Sequence, residues 1–394
     1  MSFLRAARAA LASQSRFPRV LLAFVAVTLT GLFISCVNNN TVSRVGPNHL
    51  AYVTLPSQGT VLLLNINSTT GVITAGPQTP PVQGSTPTGM VLSPSRKFLY
   101  VVNSRANSIS IFSVNSVDGT LTLIGTPIQA GSAPNMAAID PSGAYFLVTN
   151  NFSNNISVFS IDSNTGNLTE VPGSPYFANQ SPTSIQFALT PYAEFVYVTN
   201  PGIGMVTGFS FSAGVLTPIP GTPLFSGQGA TALTVDASDR FLFVANFSAI
   251  NPPPNAATIG NISAYNIDPS TGELTTITGS PFTSADGIGP AALTVDPTNT
   301  YLYAVTAGSA NSIWCFTINP SNGQLVAVSS SPFSLAAGGQ FALFDPIGSY
   351  FYIGSPSAKG IQGYTYDSGT GAPTLIGGSP FSTGSPPGTM VLSE

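Results

Sequence analysis

The sequence predicts an all-β fold in which seven four-stranded units close into a ring, a β-propeller. Three observations predict it. Seven second-strand positions, Tyr52, Tyr100, Leu147, Tyr197, Phe243, Tyr303 and Tyr352, recur at intervals of 48, 47, 50, 46, 60 and 49 residues. Each sits in an apolar stretch with the two-residue alternation of half-buried sheet, bounded by turn residues. Residues 388–393 (GTMVLS) near the C-terminus duplicate residues 88–93 (TGMVLS), so the end of the chain repeats part of its beginning. Units of this length with four short strands are propeller blades, and a lone blade cannot bury both faces, so neighbours must stack.

Composition narrows the function. Among 394 residues there are 10 Lys+Arg, 14 Asp+Glu and one His, and charged residues make up 6%, against roughly 25% in an ordinary soluble domain. The 25 Phe and 13 Tyr exclude a disordered chain. No basic stripe exists to neutralise phosphates, so nucleic acid is not an expected partner. The 39 Gly and 34 Pro are spread evenly, as many tight turns require.

The N-terminus reads as an export signal. Arg5, Arg8, Arg16 and Arg19 form a basic leader, and residues 20–34 (VLLAFVAVTLTGLFI) are an uncharged, mostly apolar run. That length suits a signal-peptide core and is short for a membrane-spanning helix, which needs about 20 residues. The run ends in Phe33-Ile34-Ser35-Cys36, which resembles the lipobox of bacterial lipoproteins, with Phe33 where that motif usually has Leu. The resemblance implies a lipoprotein-type signal peptide over residues 1–35 and a lipid on Cys36, which would hold the chain at a membrane of the cell envelope. An uncleaved apolar anchor is the alternative. Residues 36–48 are a polar tether, and residues 49–394 are the propeller. Losing four arginines and no acid leaves 6 basic and 14 acidic residues, a net charge of −8. With Cys36 lipidated, Cys315 is a lone thiol in an apolar run, expected to be buried and inert.

Within the propeller the clearest copy runs Ile139-Asp140-Pro141-Ser142-Gly143, then YFLVTN (145–150), ISVFSID (156–162) and Thr165-Gly166-Asn167-Leu168. It gives an inner strand, a turn, a second strand, a loop, a third strand, a turn and a final strand. The first copy begins at His49-Leu50-Ala51-Tyr52 and lacks an innermost strand. The C-terminal strand is expected to supply it and to tie the two ends of the chain together.

Tyr197-Val198-Thr199-Asn200 matches the signature of the YVTN-type β-propeller repeats, and Leu99-Tyr100-Val101-Val102-Asn103 nearly does. Over residues 49–394 the chain resembles that superfamily, which includes seven-bladed lactonases such as propeller-type 6-phosphogluconolactonases. The matching residues are strand and turn positions, so the resemblance speaks for the fold more than for activity.

Most polar positions have a structural reading. Asp140, Asp236, Asp296 and Asp345 each enter the first turn of a repeat, and Asp162, Asp268 and Asp367 precede the later turn, where Asn67, Asn115 and Asn319 are equivalents. Such side chains accept turn N–H bonds. The recurrent Gly-Ser-Pro-aromatic sequence at 173–176, 279–282 and 378–381 is expected to end a blade and pack its ring between blades. No cluster of His, Cys and carboxylate with metal-ligand spacing exists and no cofactor is expected. A Ca²⁺ held in the channel by carbonyls and Asp stays open as an alternative.

Loops after the second and fourth strands of a propeller open on one face around the channel. There the sequence places Thr88, Asn135, Thr183, Thr231, Gln340 and Thr389 at the starts of inner strands, as ligand-binding candidates. Asp286, Arg105 and Lys359 join them. The longest loop, 246–261 with Pro252-Pro253-Pro254, is either a stiff lid or partner contact over the mouth or a tolerated surface insertion. Lactone opening needs a base to activate water and a cation or N–H donors for the oxyanion. The resemblance implies His, Arg and Glu at the mouth. Here His49 aligns with Lys97, Glu194, Arg240 and Ser349 in the first turn. It therefore falls on the opposite face, as an expected solvated rim residue. Arg105 as cation and Asp286 as acid or base are the catalytic candidates left. The sequence therefore favours a non-catalytic module that binds a neutral ligand or a protein at the mouth. A lactonase-like hydrolase is the alternative.

Overall fold

The computed structural model describes residues 48–82, 84–247, 260–283, 289–307, 311–345 and 348–393. Cys36, Asp286 and most of the 246–261 loop lie outside the described residues. Seven antiparallel sheets follow one another in sequence order, and no helix is present among the described residues. Blade 2 shows the pattern: Pro87–Leu92 innermost, then Phe98–Asn103, Ser108–Val114 and Leu121–Gln129 at the rim.

Blade 1 is built from both ends of the chain, as the duplicated strand predicts. Asn48–Leu55, Thr60–Asn67 and Ile73–Gln78 come from the N-terminal side, and Met390–Ser393 is the innermost strand. The register pairs Leu50 with Ser393 and Val53 with Met390. Beyond it, the Thr54 amide donates to the Thr389 carbonyl at 2.9 Å and the Gly388 amide to the Thr54 carbonyl at 2.9 Å.

There is no single core. Seven apolar clusters lie between successive blades, each drawing one face of a sheet and the opposing face of the next. At the seam between blades 7 and 1, Tyr352 and Ile361 meet Val53, Leu62 and Met390. Burial on both faces explains why second strands such as Phe98–Asn103 and Phe241–Asn246 are buried along their whole length.

The recurrent tyrosine has a role that its position alone does not reveal. Its ring fills the gap between blades, and its hydroxyl donates to the carbonyl of a turn glycine in the next blade. Tyr52 bonds Gly119 at 2.8 Å, Tyr100 bonds Gly166 at 3.0 Å and Tyr197 bonds Gly272 at 2.7 Å. Tyr303 bonds Gly371 at 2.8 Å, and Tyr352 closes the ring on Gly71 at 3.1 Å. Leu147 and Phe243 hold the same place without a hydroxyl. The glycines have positive φ, 69° to 74° in these five turns. A Cβ on Gly166 would lie 2.6 Å from the Phe98 ring, so both conformation and space exclude a side chain there.

One detail differs from expectation. In blades 3, 4, 6 and 7 the final strand is split: Leu168–Glu170 pairs with one half of the third strand, and Tyr176–Phe177 pairs with the other. A Ser-Pro or Thr-Pro step makes the break (Pro175, Pro223, Pro332 and Pro380), because proline gives no N–H to the ladder. The serine repairs the gap in three of the blades: Ser174 Oγ accepts from the Val158 amide at 2.9 Å, Ser331 Oγ from Cys315 at 2.9 Å and Ser379 Oγ from Gly363 at 3.0 Å. The following aromatic packs into the inter-blade cluster, as Phe381 does between blades 7 and 1.

Candidate functional site

The mouth face carries the starts of the inner strands and the loops between second and third strands. Its frame is set in blades 2 to 5 by the Asn that ends the second strand. Asn103 donates to Ser110 Oγ at 2.8 Å, and Asn150 to Ser157 Oγ at 2.9 Å. Asn200 donates to the carbonyls of Ala178 and Gln180 at 2.8 and 3.0 Å and accepts from Thr207 at 2.7 Å. With Asn246, which donates to Ser263 Oγ at 3.0 Å, these buried amides tie the loops of blades 2 to 5 together, so the signature asparagine is a structural clamp. The legible signal was a Ser or Thr seven residues after the Asn, at 110, 157 and 207.

Several predicted ligand-binding threonines serve the frame as well. Thr88 Oγ1 donates to the Asn135 carbonyl of the next blade at 3.0 Å. Thr183 and Thr199 share a hydroxyl–hydroxyl bond at 2.9 Å. Thr389 is buried, and its amide donates to Thr54 Oγ1 at 2.9 Å. Thr231 makes only a long contact, 3.5 Å, to the Ala245 carbonyl. Asn135 is half-buried and Gln340 exposed, and no side-chain hydrogen bond is made by either among the described residues. Of the six, these two amides are the best placed to meet a ligand.

Arg105 is exposed, in the loop between the second and third strands of blade 2. It lines a cavity of about 340 Å³ with Pro56, Ser57, Gly84, Ser85 and Thr86, between blades 1 and 2. A guanidinium there offers a planar fork of donors to a carbonyl, carboxylate or oxyanion. Lys359 is exposed in the matching loop of blade 7. The described neighbours of Asp286, Thr283 and Gly289, lead out of blade 5 and into blade 6, three or more blades from Arg105 around the ring.

The opposite face holds the turn carboxylates. Asp296 accepts the amides of Thr300 and Tyr301 at 2.8 and 2.5 Å, and Asp236 those of Arg240 and Phe241 at 2.7 and 2.6 Å. In the outer turns Asp162 accepts from Thr165 and Asn164, both at 2.9 Å, and these bonds hold its carboxyl below the usual range. Most of these bonds stay within one blade, but Asp236 also accepts from Asn299 of the next blade at 2.8 Å. No group of three or more His, Cys, Asp or Glu able to hold a metal occurs among the described residues.

His49 lies on this face but is not a solvated rim residue. Its side chain is 16% exposed, and Nδ1 stands 3.7 Å from Asp345 Oδ1 of blade 7. Ring closure brings the last blade's turn against the first strand and covers the imidazole. Cys315 is fully buried, donates its thiol to the Gly371 carbonyl at 3.6 Å, and is pushed by burial up to about 12. It carries no nucleophilic chemistry at neutral pH.

Seven stacked blades closed by an N- and C-terminal strand pair, with a polar mouth, define a closed seven-bladed propeller. The chain belongs to the lactonase family of 7-bladed β-propellers, whose profile matches residues 44–187 and 186–389. Its fold is similar to a protein from Bacteroides uniformis provisionally described as a 6-phosphogluconolactonase, with 19% identity over 88% of this chain and 99% of that one, TM-score 0.71. A provisional 6-phosphogluconolactonase from Bacteroides fragilis gives 20% identity over 89% and 99%, TM-score 0.71. The periplasmic gluconolactonase of Pseudomonas aeruginosa gives 15% identity over 88% and 99%, TM-score 0.66. At these identities the likeness is one of fold. Among curated proteins, none matches this sequence.

Proposed function

We propose that the propeller is a lactonase-like hydrolase that opens a sugar lactone at its mouth. Membership of the lactonase propeller family across residues 44–389 carries this reading. In it Arg105 holds the carbonyl oxygen as it gains charge, and Asp286, from the blade 5–6 connection, activates the attacking water from across the channel. A carboxylate in place of a histidine base is chemically adequate, since either can take a proton from water. The full-length chain should hydrolyse D-glucono-1,5-lactone with saturation. Arg105→Ala should lower kcat/KM by roughly 10²-fold and Asp286→Ala by roughly 10²- to 10⁴-fold. Turnover no faster than in buffer would reject the hydrolase.

The second reading is the non-catalytic module, supported by the free amides of Asn135 and Gln340 at the mouth. It predicts weak binding of neutral, hydroxyl-rich ligands or of a protein surface, nearly insensitive to salt.

In either reading the domain works outside the cytoplasm, anchored to a membrane by lipid on Cys36. Cys36→Ser should abolish metabolic lipid labelling and release the protein from the membrane fraction. Labelling that survives the substitution would defeat the anchor. No described helix is long and apolar enough to cross a membrane.

A further inference from the structure

The repeat supplies its own control, because copies of one turn can be compared residue by residue. In the turn between the innermost and second strands of three blades, an Asp is followed two residues later by a hydroxyl that donates to it: Asp140/Ser142, Asp236/Ser238 and Asp296/Thr298. Blade 2 changes only the Asp, to Ser93, and blade 7 only the hydroxyl residue, to Ile347. Blade 4 changes both: Thr190 replaces the Asp, and Tyr192 replaces the hydroxyl residue with a ring that is 75% exposed.

The adjoining turn of blade 5 departs as well. Three residues after the Asp, Gly143, Asn299 and Gly348 take positive φ of 75°, 61° and 72°, and blade 5 puts Asp239 there at 55°. Asn299 uses the position to join blades: Nδ2 donates to Asp236 at 2.8 Å, and Oδ1 accepts from the Ala237 amide at 3.2 Å. The blade 4 residues facing Asp239 by the same alignment are Thr190 and Pro191, and a proline has no N–H to give. The Asp239 carboxyl is half-buried and is pushed up by that burial, against the amide of Leu189, which donates to it. Beside it the Arg240 guanidinium is anchored: it donates to the Pro320 carbonyl at 2.6 Å and Ser238 Oγ at 3.0 Å, and it lies 4.8 Å over the Phe241 ring.

The departures of blades 4 and 5 surround one hollow of about 400 Å³ on the face opposite the mouth, lined by Tyr192, Asp239, Arg240, Phe241 and Pro269. We propose that this hollow is a binding site for a neutral saccharide, separate from the mouth. A sugar ring has an apolar C–H face, which suits an exposed aromatic ring, and a rim of hydroxyls that donate and accept. Asp239 accepts such donors, and the N–H groups of Arg240 left over from its anchoring supply the complementary ones. One carboxylate beside one guanidinium favours a ligand without net charge. The volume is in the range of small-ligand pockets, about 300–1,000 Å³, and fits one or two rings.

The test is saturation-transfer NMR and titration of the full-length chain with cellotetraose and chitotetraose. At least one should bind saturably, with Kd on the order of 1 mM. Tyr192→Ala should weaken it about tenfold. Asp239→Asn keeps a residue suited to the left-handed turn and should weaken binding several-fold. Phe152→Ala, which removes a 76% exposed aromatic ring away from the hollow, should leave binding unchanged, and lactone turnover should be unchanged in Tyr192→Ala. No saturable binding of either sugar, binding that survives Tyr192→Ala, or binding lost in Phe152→Ala would each overturn the proposal.

Discussion

Removal of residues 388–394 should unfold the propeller at ambient temperature or lower its melting temperature drastically. The deletion strips blade 1 of its innermost strand and leaves the edge of Asn48–Leu55 unpaired along the channel. It removes Met390 from the cluster that joins blades 7 and 1, and Leu392 from its margin. Burial of such side chains is worth about 1.5–3 kcal/mol each. The Thr54 carbonyl and amide lose their partners in addition, at about 1–3 kcal/mol for each group left unsatisfied. The total is several kcal/mol against a typical stability of roughly 5–15 kcal/mol. Cutting inside the ring also separates blades that stack only on their neighbours, so the loss should spread. Calorimetry of the truncated chain checks this, and an unchanged melting temperature would refute the closure.

The second large effect is expected in alkali. Five tyrosine latches are buried between blades, and a phenolate there has neither water nor a counter-charge. Burial, with Asp118 adding repulsion, pushes Tyr52 up to about 12, and burial raises Tyr100, Tyr197, Tyr303 and Tyr352 too. In the unfolded chain a tyrosine titrates near 10. The neutral form is the one the fold favours, so this stabilisation is complete below about pH 10 and is lost as pH rises toward the folded values. Above pH 10 each latch costs about 1.4 kcal/mol per pH unit, and five together roughly 7 kcal/mol per unit. The propeller should therefore unfold cooperatively within one or two units above pH 10. Tyrosinate absorbance should rise together with loss of near-ultraviolet circular dichroism. Ionisation complete near pH 10 in a chain that keeps its dichroism would contradict the latch.

The fold was legible because a blade is a local pattern repeated, and the closure was legible because residues 388–393 copy residues 88–93. Interactions between blades were harder to read. The tyrosine at Tyr52 or Tyr197 was visible as an anchor, yet its partner lies 67 or 75 residues away and is a bare carbonyl. His49 was assigned to the correct face but its cover was missed, since Asp345 comes from the far end of the chain. At the mouth, the sequence located Thr88 and Thr183 without showing that neighbouring strands occupy their hydroxyls. Asparagine and threonine look alike as clamp and as ligand contact until the geometry is known. The site around Tyr192 could have been found by aligning the first turns, because it is a departure from the repeat rather than a motif.

The strand pair that closes blade 1 also fixes where the chain leaves the ring. Leu50 faces Ser393, and Asn48 faces Asn67 beside the outer turn, so the described N- and C-terminal strand ends both emerge on the face opposite the mouth. A fusion partner, affinity handle or surface linkage joined directly at residue 48 or 393 is thus attached on the far side from Arg105, Asn135 and Gln340. Immobilised through these strand ends, the propeller would present its mouth to solution, the geometry a sensor or a display scaffold needs.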